Sequence, residues 1–392
     1  MSLLDAAERL ASIDRSQIVL DTKCCLYSQD QYSACAACFN ICPVEAIAVG
    51  KPPSLNAELC QSCLACIPAC PVGAYRADDD VSNLLNCATH VEDQSVELLC
   101  GLHPQPETGS DSESIGIQIH GCLAGLGSGA YVTLSTVGLT RIISRTDACH
   151  ACKWQTLSPE IHRQAERANR FLLAWGKSDT VTCTDEIESP VERVLWDAKN
   201  PPLSRRDLFR LLARQGQITM ARAMENGVSV SNRQPGRDRL RLLSAILHLP
   251  APSASEAALN DFGFATLTIS KSCTACGTCA KACPTEALGF HKNDEDMTFS
   301  ISFSVQKCIG CDLCEHVCQP DAITINHAPT FEQVFGVKGP IVVEAGPMVR
   351  CERCKTFMAA REGVKLCPLC EYRRTHPFGS MLPKKIVKES HS

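Results

Sequence analysis

Cysteine is the residue type with which this sequence could do chemistry, because it accounts for 27 of the 392 residues. The cysteines occur in groups, and within the groups the spacing C-x2-C-x2-C-x3-C recurs. It is complete at Cys60–Cys70, Cys273–Cys283 and Cys308–Cys318. A fourth copy keeps only its last three cysteines, because Tyr32 stands where the first would be. Grouped thiols at a fixed spacing predict metal binding rather than disulfides.

Proline follows the last cysteine of every copy, at Pro43, Pro71, Pro284 and, one residue later, at Pro320. Three cysteines on one tight loop can hold one face of a cubane cluster, while a fourth that precedes proline ligates the other cluster of a pair. On these motifs, residues 17–78 and 264–328 each resemble a bacterial-type ferredoxin that carries two [4Fe–4S] clusters. The similar residues after each fourth cysteine are the internal repeat of such a fold.

The resemblance implies crosswise ligation. In the C-terminal module, one cluster would take Cys273, Cys276, Cys279 and Cys318, and its neighbour would take Cys308, Cys311, Cys314 and Cys283. In the N-terminal module, one cluster would take Cys60, Cys63, Cys66 and Cys42, and the other Cys35, Cys38, Cys70 and either Cys24 or Cys25. We favour Cys25, because strand-like residues 18–20 lead into it as residues 267–269 lead into Cys273. Zinc or plain buried thiols are the alternative for these groups, and the altered cluster could lack a ligand or hold three irons.

Residues 87–200 predict a small α/β domain, since strand-like and helical segments alternate. Strands are expected at 96–99, 115–119 and 141–144, and helices at 129–139 and 159–175. Cys100, Cys122 and the pair Cys149 and Cys152 follow predicted strands, at the edge where α/β sheets place their sites. Part of this segment, with Gly121-Cys122-Leu123 and the later Cys-His-Ala-Cys, resembles the small iron–sulfur subunit of viologen-reducing hydrogenases. A further metal or cluster site and an ordinary core with buried cysteines both stay open here.

Residues 201–262 predict a helical linker, with helices from Ser204 into Leu211-Leu212 and from Asp238 through Leu249. Within residues 345–375, the spacing C-x2-C-x12-C-x2-C of Cys351, Cys354, Cys367 and Cys370 resembles a zinc ribbon. Rubredoxin-type iron uses the same four thiolates. Rubredoxin knuckles normally carry glycine after the second cysteine, where this chain has Lys355 and Glu371. The sequence therefore favours zinc over iron.

Composition excludes other classes of function. The formal net charge of −5 argues against nucleic-acid binding, which needs a basic face. No apolar run approaches the roughly 18–20 residues that span a bilayer, and the first residues lack the layout of a signal peptide. We therefore expect a cytoplasmic protein of the α+β class. Its two ferredoxin-like dicluster modules, residues 1–80 and 263–330, would flank the small α/β domain and the helical linker, with a zinc ribbon at the C-terminal end.

The sequence contains no GxGxxG motif, no P-loop and no recognisable hydrolase triad. It therefore predicts an electron-transfer iron–sulfur protein with four [4Fe–4S] clusters and one zinc or iron ion. Such a protein would serve a redox partner or form a subunit of a larger cytosolic oxidoreductase. Two alternatives stay open: an oxidoreductase with a metal or substrate site in the middle domain, and a redox or oxygen sensor whose altered cluster is labile.

Overall fold

The computed structural model describes residues 18–29, 33, 35–91, 95–200, 233–250, 252 and 259–376. The described residues of 1–232 and 236–253 form one unit, and those of 233–235 and 254–392 form another. Tyr32 and the helix predicted from Ser204 lie outside the described residues. Within the described part of the chain, no helix is both long enough and apolar enough to cross a membrane.

The first unit begins with short elements around the first two groups of cysteines. They are β1 (Val19–Leu20), α1 (Leu26–Gln29), α2 (Ala37–Ile41), β2 (Ile47–Ala48), β3 (Ser54–Leu55), α3 (Cys66–Ala69) and β4 (Tyr75–Arg76). β1 pairs with β4 and β2 pairs with β3, both antiparallel. The strand predicted before Cys25 is therefore present, although only two residues pair.

A parallel sheet forms the centre of the first unit. After α4 (Val81–Ala88) come β5 (Ser95–Leu99), β6 (Thr108–Gly109), β7 (Ile115–Gln118), α5 (Ser128–Thr136), β8 (Arg141–Arg145), α6 (Ser158–Leu172), β9 (Val181–Thr184), β10 (Val191–Glu192) and β11 (Leu195–Asp197). Five strands pair in the order β11-β7-β5-β8-β9, all parallel. The middle strand β5 is buried on both faces, as a parallel sheet requires.

The predicted strands and helices of this domain are confirmed with small differences at their ends. The first predicted helix ends at Thr136 rather than residue 139. The second ends at Leu172 and is followed by a single tighter turn to Trp175. Tighter hydrogen bonding in the last turn is a common way to satisfy the free carbonyls of a helix end.

The helix α7 (Arg237–Ile246) confirms the second helix expected in the linker, and it packs on the first unit. The carboxylate of Asp238 accepts hydrogen bonds from the amides of Gly129 and Ala130, at 2.9 and 3.0 Å. It thereby satisfies free amides at the start of α5, where a negative charge also meets the positive end of the helix dipole. Arg241 forms two hydrogen bonds to Asp79, at 2.9 and 2.7 Å. α7 thus contacts both the sheet domain and the segment that follows the N-terminal cysteines.

The second unit holds the remaining cysteine groups. Its elements are β12 (Thr266–Ile269), α8 (Thr278–Ala282), β13 (Leu288–Asn293), β14 (Thr298–Phe303), α9 (Leu313–His316), β15 (Ile323–Asn326), α10 (Phe331–Phe335), β16 (Ile341–Arg350), β17 (Phe357–Ala359) and α11 (Pro368–Thr375). β12 pairs with β15, and β13-β14-β16-β17 form a four-stranded antiparallel sheet. The strand predicted over 298–305 ends at Phe303, because Val305 starts a tight turn. β16 pairs with β14 on one side and with β17 on the other. Residues 345–375 are therefore continuous with the preceding module.

Candidate metal centres

The three complete cysteine loops share one backbone conformation. In each loop, the residue before the second cysteine and the residue after it both adopt a left-handed conformation. The φ values are 52° and 67° for Ser62 and Leu64, 57° and 70° for Ala275 and Gly277, and 61° and 59° for Gly310 and Asp312. Left-handed residues cost energy unless they are glycine, so their recurrence at non-glycine positions marks a conformation that the loop requires. A short helix follows each loop and carries the chain to the fourth cysteine.

The fourth cysteine of every copy begins the same turn, including the altered copy. The third residue after it is left-handed, with φ of 50°, 62°, 51° and 48° at Glu45, Gly73, Glu286 and Asp321. This turn aims the next amide back at the cysteine sulfur. The N···Sγ distances are 3.3 Å for Ala46 to Cys42 and 3.2 Å for Ala74 to Cys70, Ala287 to Cys283 and Ala322 to Cys318. An amide donor aimed at a sulfur favours the thiolate that a metal cluster needs.

The thiols of the altered loop surround a cavity in the N-terminal module. Cys25, Cys35, Cys38 and Cys70 line a cavity of about 20 Å³. Burial raises the pKa of the Cys70 thiol to about 11, and the nearby Cys35 and Cys38 add to that rise. Cys24 lies elsewhere, with its Sγ 3.6 Å from the Asp21 carboxylate.

The remaining thiols of that module form a second group. Burial raises the pKa of the Cys66 thiol, and the charges of Cys63, Cys60 and Cys42 raise it further. Cys42 is the fourth cysteine of the altered copy, whereas the other three belong to the complete loop. The thiols therefore assemble across the two copies, as the resemblance to a ferredoxin implied.

In the second unit, too, each group of thiols combines cysteines of both loops. Cys283, Cys308, Cys311 and Cys314 line a cavity of about 20 Å³. Burial raises the pKa of the Cys279 thiol to about 12, with further contributions from Cys276, Cys273 and Cys318. Each group again joins three thiols of one loop to the fourth cysteine of the other loop.

Family models match most of the C-terminal module and the part of the N-terminal module around its complete cysteine loop. Residues 272–322 match the 4Fe-4S dicluster domain, and residues 53–76 match the 4Fe-4S binding domain. The chain contains two ferredoxin-type iron–sulfur domains. No curated protein matches the chain. Iron–sulfur domains of this type point to electron transfer as the general role.

The last four cysteines form a tighter site than any of these groups. The sulfurs of Cys351, Cys354, Cys367 and Cys370 all lie within 4.8 Å of one another, and Cys354 and Cys367 are 3.6 Å apart. A tetrahedral ion with sulfur ligands at about 2.3 Å places neighbouring sulfurs roughly 3.8 Å apart. Backbone amides of Cys354 and Cys367 hold the pKa of the Cys351 thiol below its usual value. This arrangement is a cysteine-rich metal site that suits a single ion.

The structure adds contacts that the cysteine spacing could not predict. The amide of Ala359 donates to the Thr274 carbonyl at 3.0 Å, and the Arg361 guanidinium donates to the Cys273 carbonyl. The segment between the two cysteine pairs of the metal site therefore contacts the loop that begins at Cys273. In the N-terminal module, the buried Tyr75 hydroxyl lies beside Cys38, where it lowers the pKa of a thiol that burial raises. That hydroxyl has no hydrogen-bond partner within reach among the described residues.

Proposed function

We propose that this chain is an electron-transfer protein with four [4Fe–4S] clusters in two crosswise pairs and one zinc ion. The cluster ligands are the four groups of thiols described above, with Cys25 completing the altered one. The observation that carries the proposal is the turn after each fourth cysteine. It occurs four times, and each time its amide points at a sulfur that lies among the thiols of the opposite loop.

A [4Fe–4S] cluster supplies reversible one-electron transfer, at a potential that burial and hydrogen bonds set within about −700 to +450 mV. The protein residues hold thiolates at fixed positions, exclude water from them and aim amide donors at their sulfurs. Such donors stabilise added negative charge, so they favour the reduced state of whatever cluster they contact. The pairing of thiols across two loops also keeps two clusters within one small module, which gives an electron a short route between them.

We propose further that the protein serves as a subunit or dedicated donor of a larger cytosolic oxidoreductase. Four cubane clusters with thiolate ligands would bring the formal charge of −5 to about −13. A protein so acidic would meet its redox partner through that partner's basic surface. The full sequence lacks a nucleotide-binding motif, so electrons would enter and leave through proteins rather than through a bound nicotinamide.

The test is to count electrons. Anaerobically purified protein is reduced with dithionite, freed of the reductant and mixed with a one-electron acceptor dye in excess. We expect at least about four electrons per chain, since each cubane delivers one. A chain that carries its iron but delivers no electrons to any dye would contradict an electron-transfer role.

A further inference from the structure

Four cysteines outside the ferredoxin-type modules meet at one edge of the parallel sheet. Cys100 follows β5, Cys122 lies beyond the end of β7, and Cys149 and Cys152 lie beyond the end of β8. The carboxyl ends of parallel strands share one edge, which is where α/β sheets form their sites. All four cysteines line a single small cavity of about 20 Å³. We call these cysteines the middle quartet.

The cavity of the middle quartet matches the ferredoxin-type cavities in size and in its donors. All three cavities measure about 20 Å³. The amides of Ala124 and Trp154 are 3.5 and 3.4 Å from the sulfurs of Cys122 and Cys152. Ala275 makes the same kind of contact with Cys273, at 3.5 Å.

A single metal ion does not fit the middle quartet. Among the described residues, the C-terminal cysteines are the one group of three or more candidate ligands whose atoms lie within 4.8 Å of one another. The middle quartet is spread more widely than that, as are the ferredoxin-type groups. The wider spacing suits a cluster of several irons, whose four thiolates bind different metal atoms.

The lining also includes a buried arginine that two carboxylates hold in place. The Arg145 guanidinium lines the cavity, and its side chain is only 2% exposed. Glu97 and Asp147 hold it in place through ion pairs of 3.0 and 2.8 Å. No lysine or arginine lines either ferredoxin-type cavity.

The middle quartet also lies beside the Cys60–Cys66 loop of the N-terminal module. A Cβ on Gly121 would come within 2.8 Å of Leu64, and one on Gly125 within 2.9 Å of the same side chain. Glycine at these two positions lets the loop approach closely. The Trp154 indole donates to the Gln61 side chain at 2.8 Å. Two points of contact thus fix the loop against the cavity.

We propose that Cys100, Cys122, Cys149 and Cys152 hold an additional iron–sulfur cluster that exchanges electrons with the cluster of the Cys60–Cys66 loop. In each exchange one electron leaves the reduced cluster of the loop, and the middle cluster gains that electron. No bond or proton is transferred. The site itself stands on the geometry of the middle domain, and only the exchange rests on the function proposed above.

The site is tested by comparing iron contents of full-length, anaerobically purified variants. Cys122→Ser and Cys152→Ser remove ligands, and Cys87→Ser is the matched control. Cys87 is fully buried in the same unit, but its sulfur faces the Ala198 carbonyl at 3.5 Å. We expect each ligand variant to lose two or four irons relative to the control, since clusters with four cysteine ligands hold either number. Equal iron in all three variants, or the loss of zinc instead, would overturn the site.

Two features keep the result readable. Cys152 is less buried than Cys122, so Cys152→Ser should disturb the fold of the sheet domain less. Iron loss in that variant therefore reports the loss of a ligand and not misfolding. The comparison is a difference between variants, so it reports on the middle quartet whatever the ferredoxin-type modules contain. The converse failure, a chain whose ferredoxin-type groups hold no iron, would contradict the proposed function and leave the iron difference intact.

The exchange is tested by electron spin relaxation in the fully reduced protein. A neighbouring paramagnet speeds relaxation, so the signal of the Cys60–Cys66 cluster should relax more slowly in Cys152→Ser than in Cys87→Ser. A variant that loses the irons but leaves every relaxation rate unchanged would contradict the exchange.

Discussion

The two ferredoxin-type modules use the same ligand turns but differ in what supports them. In the C-terminal module, four residue pairs join β12 to β15 and six join β13 to β14. In the N-terminal module, the corresponding pairs of strands, β1 with β4 and β2 with β3, share two pairs each. The cysteine spacing therefore sets the backbone turns locally. These turns form even where each strand pairing behind them has only two residue pairs.

The altered loop shows what that local conformation depends on. Ala36 occupies the place of the left-handed residues Leu64, Gly277 and Asp312, yet its φ is −122°. With Cys25 as the proposed replacement for the missing first cysteine, the loop need not coil at that position. Closing a longer loop costs only modest entropy, because the cost grows with the logarithm of loop length. The altered loop therefore lacks the left-handed residue that follows the second cysteine in the three complete loops.

The ligand choice at the altered loop gives the largest expected effect. Cys25→Ser should remove or convert one cluster and take about four irons from the chain, because Cys25 lines the cavity. Cys24→Ser is the matched control and should leave all irons in place, since that thiol faces Asp21. Iron and sulfide analysis of anaerobic preparations decides between them. The opposite pattern would show that Cys24 is the ligand.

The support given by the C-terminal metal site is the second point at which the modules differ. Cys354→Ser should release the ion and, with it, the hydrogen bonds from Ala359 and Arg361 to the Cys273 loop. We expect the C-terminal module to lose its clusters several-fold faster in air, while the N-terminal module keeps its rate. Loss of visible absorbance follows the clusters, and metal analysis follows the ion. Equal rates in both modules would contradict the support.

The left-handed turns offer a smaller, paired test. Gly73→Ala should destabilise the N-terminal module by about 1 kcal/mol, because a side chain at φ 62° is strained. Glu45→Gly should stabilise the same module by a similar or smaller amount, since that exposed residue has φ 50°. The midpoint of thermal cluster loss measures both. Shifts of the same sign would show that the turns do not carry strain.

The smallest effect concerns one hydroxyl. Tyr75→Phe removes the group beside Cys38, and it should lower the potential of the cluster at the altered loop. A hydrogen bond worth about 1 kcal/mol corresponds to roughly 40 mV for one electron. A redox titration followed by electron paramagnetic resonance provides the value. Cluster content should stay constant, and a potential that rises would contradict the assigned contact.

The sequence predicted what depends on local spacing. The loops, the crosswise grouping of thiols and most strands of the sheet domain follow from cysteine, proline and periodic patterns. Cys25 was favoured on the strand before it, and the structure places it in the cavity wall. Contacts between distant segments carried no local signal. Arg361 against Cys273 and Leu64 against Gly121 depend on tertiary packing, so no spacing rule could find them.

The central claim is that both modules hold paired cubane clusters, and metal stoichiometry tests it most directly. Native mass spectrometry of the anaerobic chain should give about 16 irons with matching sulfide from the four ferredoxin-type groups, and one zinc. The middle quartet would add two or four irons to that number. Preparations that reproducibly hold about eight irons or fewer, the content of two cubanes, would contradict the claim.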